Sequence, residues 1–229
     1  MSTAASLYRP QHPVRFITAA SLFDGHDAAI NIMRRILQSQ GAEVVHLGHN
    51  RSVREVVRAA IQEDVQGIAI SAYQGGHVEY FSYLVELLAE QGAGHIKVFG
   101  GGGGVIVHEE IELLHSRGVA RIFSPDDGQE LGLARMINTM VEACDTDLAD
   151  RPEPALDALL SGHHDALARV ITAIEAGRAS DATLTGIREA AAARHVPVLG
   201  ITGTGGSGKS SLTDELVRRF RVDQQDKLR

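Results

Sequence analysis

Residues 14–47 read VRFITAASLFDGHDAAINIMRRILQSQGAEVVHL and hold the plan of the fold in one stretch. Val14–Ala20 is short, apolar and β-branched, as a strand covered on both faces requires. Phe23-Asp24-Gly25-His26-Asp27 interrupts it with turn chemistry. Asp27 to Gln40 then spaces Ile30, Met33 and Leu37 on one helical face. Gly41 stands where a left-handed residue ends a helix. Glu43–Leu47 opens a second apolar run. Strand, loop, helix and strand form one unit of a parallel α/β sheet.

The pattern repeats outward from there. Gly67–Ser71, Ile96–Phe99 and Val119–Phe123 are further buried strands. Ser52-Val53-Arg54-Glu55 reads as a capping box that opens a second helix, with Val56, Ala59 and Ala60 facing inward. His77–Gln91 is a third helix, Val107–Arg117 a fourth and Gly128–Ala143 a fifth. Five strands alternating with five helices predict a doubly wound, flavodoxin-like sheet of order 2-1-3-4-5 over residues 14–144, behind a tail of residues 1–13. Asp145-Thr-Asp-Leu-Ala-Asp-Arg-Pro-Glu-Pro reads as an exposed linker, because acidic residues and two prolines favour solvated, extended backbone. Residues 145–195 are linker and helices, with Leu156–Glu175 and Ala182–Arg194 helical around Gly177. Val196-Pro-Val-Leu-Gly-Ile-Thr then predicts the opening strand of a second, incomplete α/β domain over 196–229.

Composition narrows the classes. Apolar content of 44% and charged content of 22% fit a folded chain rather than a disordered one. A net charge of −7 with scattered Lys and Arg argues against a nucleic-acid partner. No apolar run approaches membrane length and no apolar leader opens the chain, so the reading is cytoplasmic with no membrane partner. The single cysteine, Cys144, excludes an internal disulfide and reads as an inert thiol.

The unusual residues gather beyond strand ends. Asp24, Gly25, His26 and Asp27 follow the first strand. Ser71, Tyr73, Gly75 and Gly76 follow the third. Gly100, Gly101 and Gly102 open a run of five glycines at the fourth. In the order 2-1-3-4-5 these three strands are neighbours, and ligands bind at the switch point between the first and third. A neutral imidazole suits a transition metal, and a carboxylate on its other nitrogen fixes the tautomer. Asp24 is spaced for that task. One histidine beside a glycine-walled slot points to a cofactor that brings its own metal, since a protein-built site wants three or four ligands. His46 and His49 straddle a strand end without a carboxylate or cysteine beside them, which disfavours zinc. His163-His164 opens an exposed helix.

Asp24-Gly25-His26 with Ser71 and Gly100-Gly101 resembles the Asp-x-His…Ser-x-Leu…Gly-Gly signature of the cobalamin-binding domains of adenosylcobalamin-dependent acyl-CoA mutases. The resemblance covers about Val14 to Ala143, with Ala29 and Tyr73 where the family has glycine and leucine. It implies that the cofactor's dimethylbenzimidazole leaves cobalt and its tail enters the sheet edge. His26 would take its place on cobalt, Asp24 would orient His26, and Ser71 would bond the buried base. It further implies homolysis of the cobalt–carbon bond and a carbon-skeleton rearrangement on a substrate barrel. A methyl-carrying corrinoid protein is the competing class, but such proteins usually place a helical bundle before this domain. A signalling receiver would need an aspartate where Ser71 stands.

Gly203-Thr-Gly205-Gly206-Ser207-Gly208-Lys209-Ser210-Ser211 fits the G-x-x-x-x-G-K-[ST] phosphate loop. Successive backbone N–H groups and a helix N-terminus cradle phosphate there. Lys209 would reach the β- and γ-phosphates, and Ser210 would ligate magnesium. Little sequence follows Lys209, so hydrolysis by this chain alone is not expected. The order of cobalamin domain, helical linker and phosphate loop looks like the N-terminal part of the fused isobutyryl-CoA mutases, which carry a G-protein chaperone. That resemblance implies GTP and Mg²⁺. It also implies an acyl-CoA substrate domain and the remainder of a G domain as partners, and a homo-oligomer when complete.

Overall fold

The computed structural model describes residues 7–225. Strands β1 (Arg15–Ser21), β2 (Glu43–Arg51), β3 (Gly67–Ser71), β4 (Lys97–Gly101) and β5 (Arg121–Phe123) form one parallel sheet of order β2-β1-β3-β4-β5. Helices α1 (Asp27–Ser39), α2 (Val53–Gln62), α3 (His77–Glu90) and α4 (His108–Ser116) connect them. The strand and helix positions agree with the sequence reading to within a few residues at their ends.

Strand alternation sorts the core into two layers. Ile68, Ile70 and Val98 pack with Val56, Val57, Phe81, Leu84 and Leu114 on the face covered by α2, α3 and α4. Ala69 and Phe99 point the other way, onto Ile30 and Leu37 of α1 and a C-terminal helix. Ser71 and Gly101 are paired in register and follow Ala69 and Phe99 on that second face. The predicted capping box is formed: Ser52 Oγ accepts from the Glu55 amide while Glu55 accepts from the Ser52 amide.

The fifth helix differs from the prediction. It is two helices, α5 (Pro125–Leu131) and α6 (Leu133–Cys144), because Gly132 at φ 73° and ψ 147° breaks the hydrogen-bond ladder between them. Ser124 caps α5, with Pro125 at its first position and Asp127 closing the box. Predicted Leu156–Glu175 likewise divides at Gly162 (φ 83°) into α7 (Leu156–Leu160) and α8 (His164–Glu175). α8 is only half exposed, since Ala166, Val170 and Ala173 are buried.

The expected exposed linker after Cys144 is instead tied down. The Asp145 side chain is only 2% exposed. It accepts from Tyr8 Oη at 2.5 Å and from the amides of Gln11 at 2.6 Å and His12 at 3.0 Å. Burial acts to raise this carboxyl, yet these donors hold it below the usual range. Arg151 forks onto Asp64 at 2.5 and 2.6 Å, and Thr172 of α8 donates to the same carboxylate at 2.8 Å. Cys144 is buried, which pushes its thiol up to about 12, in keeping with an inert role.

The chain divides into two compact units, one through Gly186 and the other from Ile187, with α9 (Asp181–Ala192) spanning the boundary. The predicted strand after Val196 is not formed, and Val198 is 94% exposed. A strand gains its hydrogen bonds only from neighbours, and among the described residues none flanks this segment. α10 (Lys209–Asp223) follows it. Among the described residues no helix is long and apolar enough to cross a membrane.

Candidate cofactor site

β1, β3 and β4 end side by side, so the loops after them share one edge of the sheet. The loop after β1 is tightly held. Phe23 adopts a left-handed backbone (φ 64°), with its amide donating to Asn50 Oδ1 at 2.8 Å. That turn drives the Asp24 side chain inward to complete burial. Asp24 Oδ1 receives the His26 amide and lies 2.8 Å from His26 Nδ1, and Oδ2 receives the Tyr73 amide at 2.6 Å.

This arrangement decides the tautomer. A carboxylate surrounded by N–H groups acts as acceptor, so Nδ1 is the donor and the neutral ring keeps its lone pair on Nε2. The His26 side chain is 64% exposed, leaving that nitrogen open at the sheet edge. The Tyr73 ring lies beside it at 5.4 Å between centroids.

Next to this loop is a cavity of about 220 Å³ between the sheet, α1 and α6. Met33, Phe99, Met136 and Met140 give it apolar walls, and Ala29 lies at its α1 side. Ser71 is its buried polar feature: Ser71 Oγ is enclosed and has no hydrogen-bond partner. Buried hydroxyls without partners are costly, so this oxygen is a standing acceptor or donor for something that enters. Sequence reasoning missed the methionine wall, although Met136 and Met140 stand one helical turn apart.

The glycines serve different ends. A Cβ on Gly100 would meet Phe81 Cζ at 2.3 Å, and one on Gly102 would meet the Ala72 carbonyl at 2.0 Å. Close packing within the protein requires glycine at both positions, and both also line the cavity beside Ser71. Gly101 faces the cavity side, with Phe123 O at 3.3 Å from its missing Cβ. Gly100→Ala is therefore expected to cost about 1–3 kcal/mol by overpacking, read as a lowered melting temperature. Gly25 opens onto free space, and Asp27 begins α1 with its carbonyl accepting from Asn31. Gly75 and Gly76 line a second pocket of about 670 Å³ with Phe23, Arg54 and Tyr80. Gly76, at φ 82°, precedes α3.

His46 is engaged with Thr18 Oγ1 at 2.9 Å. Among the described residues no group of three or more His, Cys, Asp or Glu side chains is placed to hold a metal ion. In the second unit, Gly203 to Gly208 form the loop before α10, with Gly206 and Gly208 in left-handed conformations. Lys209, Ser210 and Ser211 begin the helix, and Lys209 Nζ donates back to Thr204 O at 2.6 Å. Gly205 is open, and Ser207 Oγ lies 2.8 Å from where a Gly203 Cβ would stand, so the loop curls on itself.

A parallel α/β sheet with an aspartate-braced imidazole at its switch point, and an apolar slot beside it between β3, β4, α1 and α6, defines a cofactor-binding protein of flavodoxin-like topology. Residues 14–134 match the family described as B12 binding domain, and the chain belongs to it. It is 66% identical over 225 residues to the fused isobutyryl-CoA mutase of Nocardia farcinica, covering 98% of this chain and 21% of that protein. It is 65% identical over 219 residues to the fused isobutyryl-CoA mutase of Cupriavidus metallidurans, covering 96% of this chain and 20% of that one. It is also 34% identical over 116 residues to the 2-hydroxyisobutanoyl-CoA mutase small subunit of Aquincola tertiaricarbonis, covering 51% of this chain and 84% of that subunit. These relatives place it among the cobalamin-binding modules of acyl-CoA mutases. The chain spans about a fifth of the length of the fused relatives.

Proposed function

We propose that this chain supplies the cobalamin module of an adenosylcobalamin-dependent acyl-CoA mutase, with His26 as the protein ligand to cobalt. The observation that carries the reading is the Asp24–His26 pair beside an apolar cavity that encloses an unpartnered Ser71 hydroxyl. The donor set fits the cofactor. His26 Nε2 would offer one lone pair to a metal that the corrin carries, and Asp24 fixes the ring's orientation and tautomer. The cavity would take the displaced base, with Ser71 Oγ as its hydrogen-bond partner. When bound, the cofactor supplies a reversibly cleavable cobalt–carbon bond for radical rearrangement of an acyl-CoA. The chain's own residues bind and orient it.

The names of the relatives support isobutyryl-CoA or a similar short acyl-CoA as the substrate of the complete protein, handled by a domain beyond these residues. Residues from Val196 onward read as the start of a GTP-binding domain. Lys209 would meet the phosphates and Ser210 the magnesium ion. Exposed Val198, Leu199, Leu212, Val217 and Phe220 are the apolar surfaces that the rest of such a domain would cover. The chain alone is expected to bind cofactor without mutase turnover or GTP hydrolysis.

The test is a titration with adenosylcobalamin followed by absorbance, which is expected to show stoichiometric uptake and a shift from the free cofactor's spectrum. Ser71→Ala separates ligand contact from folding. Removing an unpartnered buried hydroxyl should leave stability unchanged or higher, while loss of one hydrogen bond worth about 1 kcal/mol weakens uptake about fivefold. A parallel loss of stability and affinity would contradict the assigned contact.

A further inference from the structure

His77 is buried at the start of α3 and its ring joins two loops. Nε2 lies 2.9 Å from Glu110 Oε2 at the head of α4, and Nδ1 lies 3.3 Å from the Gln74 carbonyl. The same Glu110 oxygen receives the Val107 amide at 3.0 Å. The bonds from His77 and from the Val107 amide hold the Glu110 carboxyl below its usual range. One side chain thus bridges the β3–α3 loop to the β4–α4 loop.

Both loops bear on the cofactor site. The β3–α3 loop carries Tyr73, whose amide is bound by Asp24 and whose ring lies beside His26. The β4–α4 loop carries Gly103, where a Cβ would touch the Tyr73 ring at 3.0 Å, and Ile106, which packs against Gly102. His77 itself does not line the cavity beside Ser71. We infer that His77 is a positioning residue for the cofactor. With Glu110 it clasps the two loops together, so that Tyr73 stays against Asp24 and His26 and the cavity wall stays closed. This inference rests on the proposed cofactor site.

The experiment loads the full chain with adenosylcobalamin and measures its release by absorbance, below the melting temperature of every variant. His77→Leu and Glu110→Ala are each expected to release cofactor about tenfold faster, the scale seen when a group that orients a metal ligand is removed. The double variant should be no worse than the poorer single one, because the two act as one unit. His77→Gln, which keeps an N–H toward Glu110, should stay within about threefold of wild type. Should His77→Leu not fold, Glu110→Ala still carries the test, since that side chain is 34% exposed. Wild-type release rates in the single variants, or strictly additive effects in the double, would overturn the clasp even where melting temperatures fall. If the unaltered chain takes up no cofactor, the cofactor reading itself fails and the clasp with it.

Discussion

Replacing His26 by alanine is expected to leave the fold intact and to weaken cobalamin binding on the order of 100-fold, about 2.7 kcal/mol. The two effects separate because of where the ring sits. Its side chain is 64% exposed and packs little, so its removal costs the fold the bond from Nδ1 to Asp24 Oδ1 and the ring contact with Tyr73. That oxygen keeps the His26 amide as a donor at 2.8 Å, which limits the loss to about 1 kcal/mol. On the proposed reading, by contrast, the imidazole is the protein's bond to the metal. Titration of wild type and His26→Ala with adenosylcobalamin, beside their melting curves, checks both halves. Equal affinity and an identical bound spectrum would remove His26 from the site.

Asp24→Ala is expected to cost more in stability than any other change at this edge of the sheet. Asp24 is fully buried, and its two oxygens take the His26 amide, the Tyr73 amide and His26 Nδ1. Alanine leaves two backbone N–H groups without their acceptor and lets the loop after β1 part from the loop after β3. Losing bonds to a charged acceptor costs about 2–4 kcal/mol, or roughly 5–15 °C in melting temperature for a unit of this size. Asp24→Asn makes the complementary case. Its volume is kept, but an amide NH₂ in the place of Oδ1 favours the tautomer with the proton on Nε2, where a metal would bind, and leaves the His26 amide without its acceptor. That variant should lose less stability than Asp24→Ala, since the Tyr73 amide keeps its acceptor, and still lose cofactor affinity. Differential melting and cofactor titration of the pair distinguish a broken loop from a wrong tautomer.

Much of this architecture was legible in the residues. Short Val- and Ile-rich runs separated by helices ending in Gly41, Gly92 and Gly118 point to a parallel sheet, because buried parallel strands admit few other residues, and the order 2-1-3-4-5 is the common one at this size. His26, Asp24 and Ser71 stood out as polar groups gathered beyond the ends of neighbouring strands. The cavity walls did not stand out. Met33, Phe99, Met136 and Met140 have the spacing of ordinary core residues, and only the three-dimensional arrangement shows that they stop short of filling the space. The glycine run reads as one device, yet Gly100 answers to Phe81 and Gly102 to Ala72, partners far away in sequence. Asp145 misled because an acidic stretch before prolines has the composition of solvated chain. Its partners Tyr8, Gln11 and His12 lie at the other end of the domain. The break at Gly132 was hidden for a different reason: a single glycine is tolerated inside helices, and only its backbone angles mark it as an end.

The most direct test of the account is the bond from His26 to the metal. Electron paramagnetic resonance of the cofactor in its cob(II)alamin form, bound to protein made with ¹⁵N-histidine, reports which nitrogen holds the axial position. The account predicts that labelling changes the nitrogen splitting and that His26→Ala abolishes the change. A splitting that is indifferent to the label would mean that cobalt keeps its own base, and the proposed ligand would be wrong.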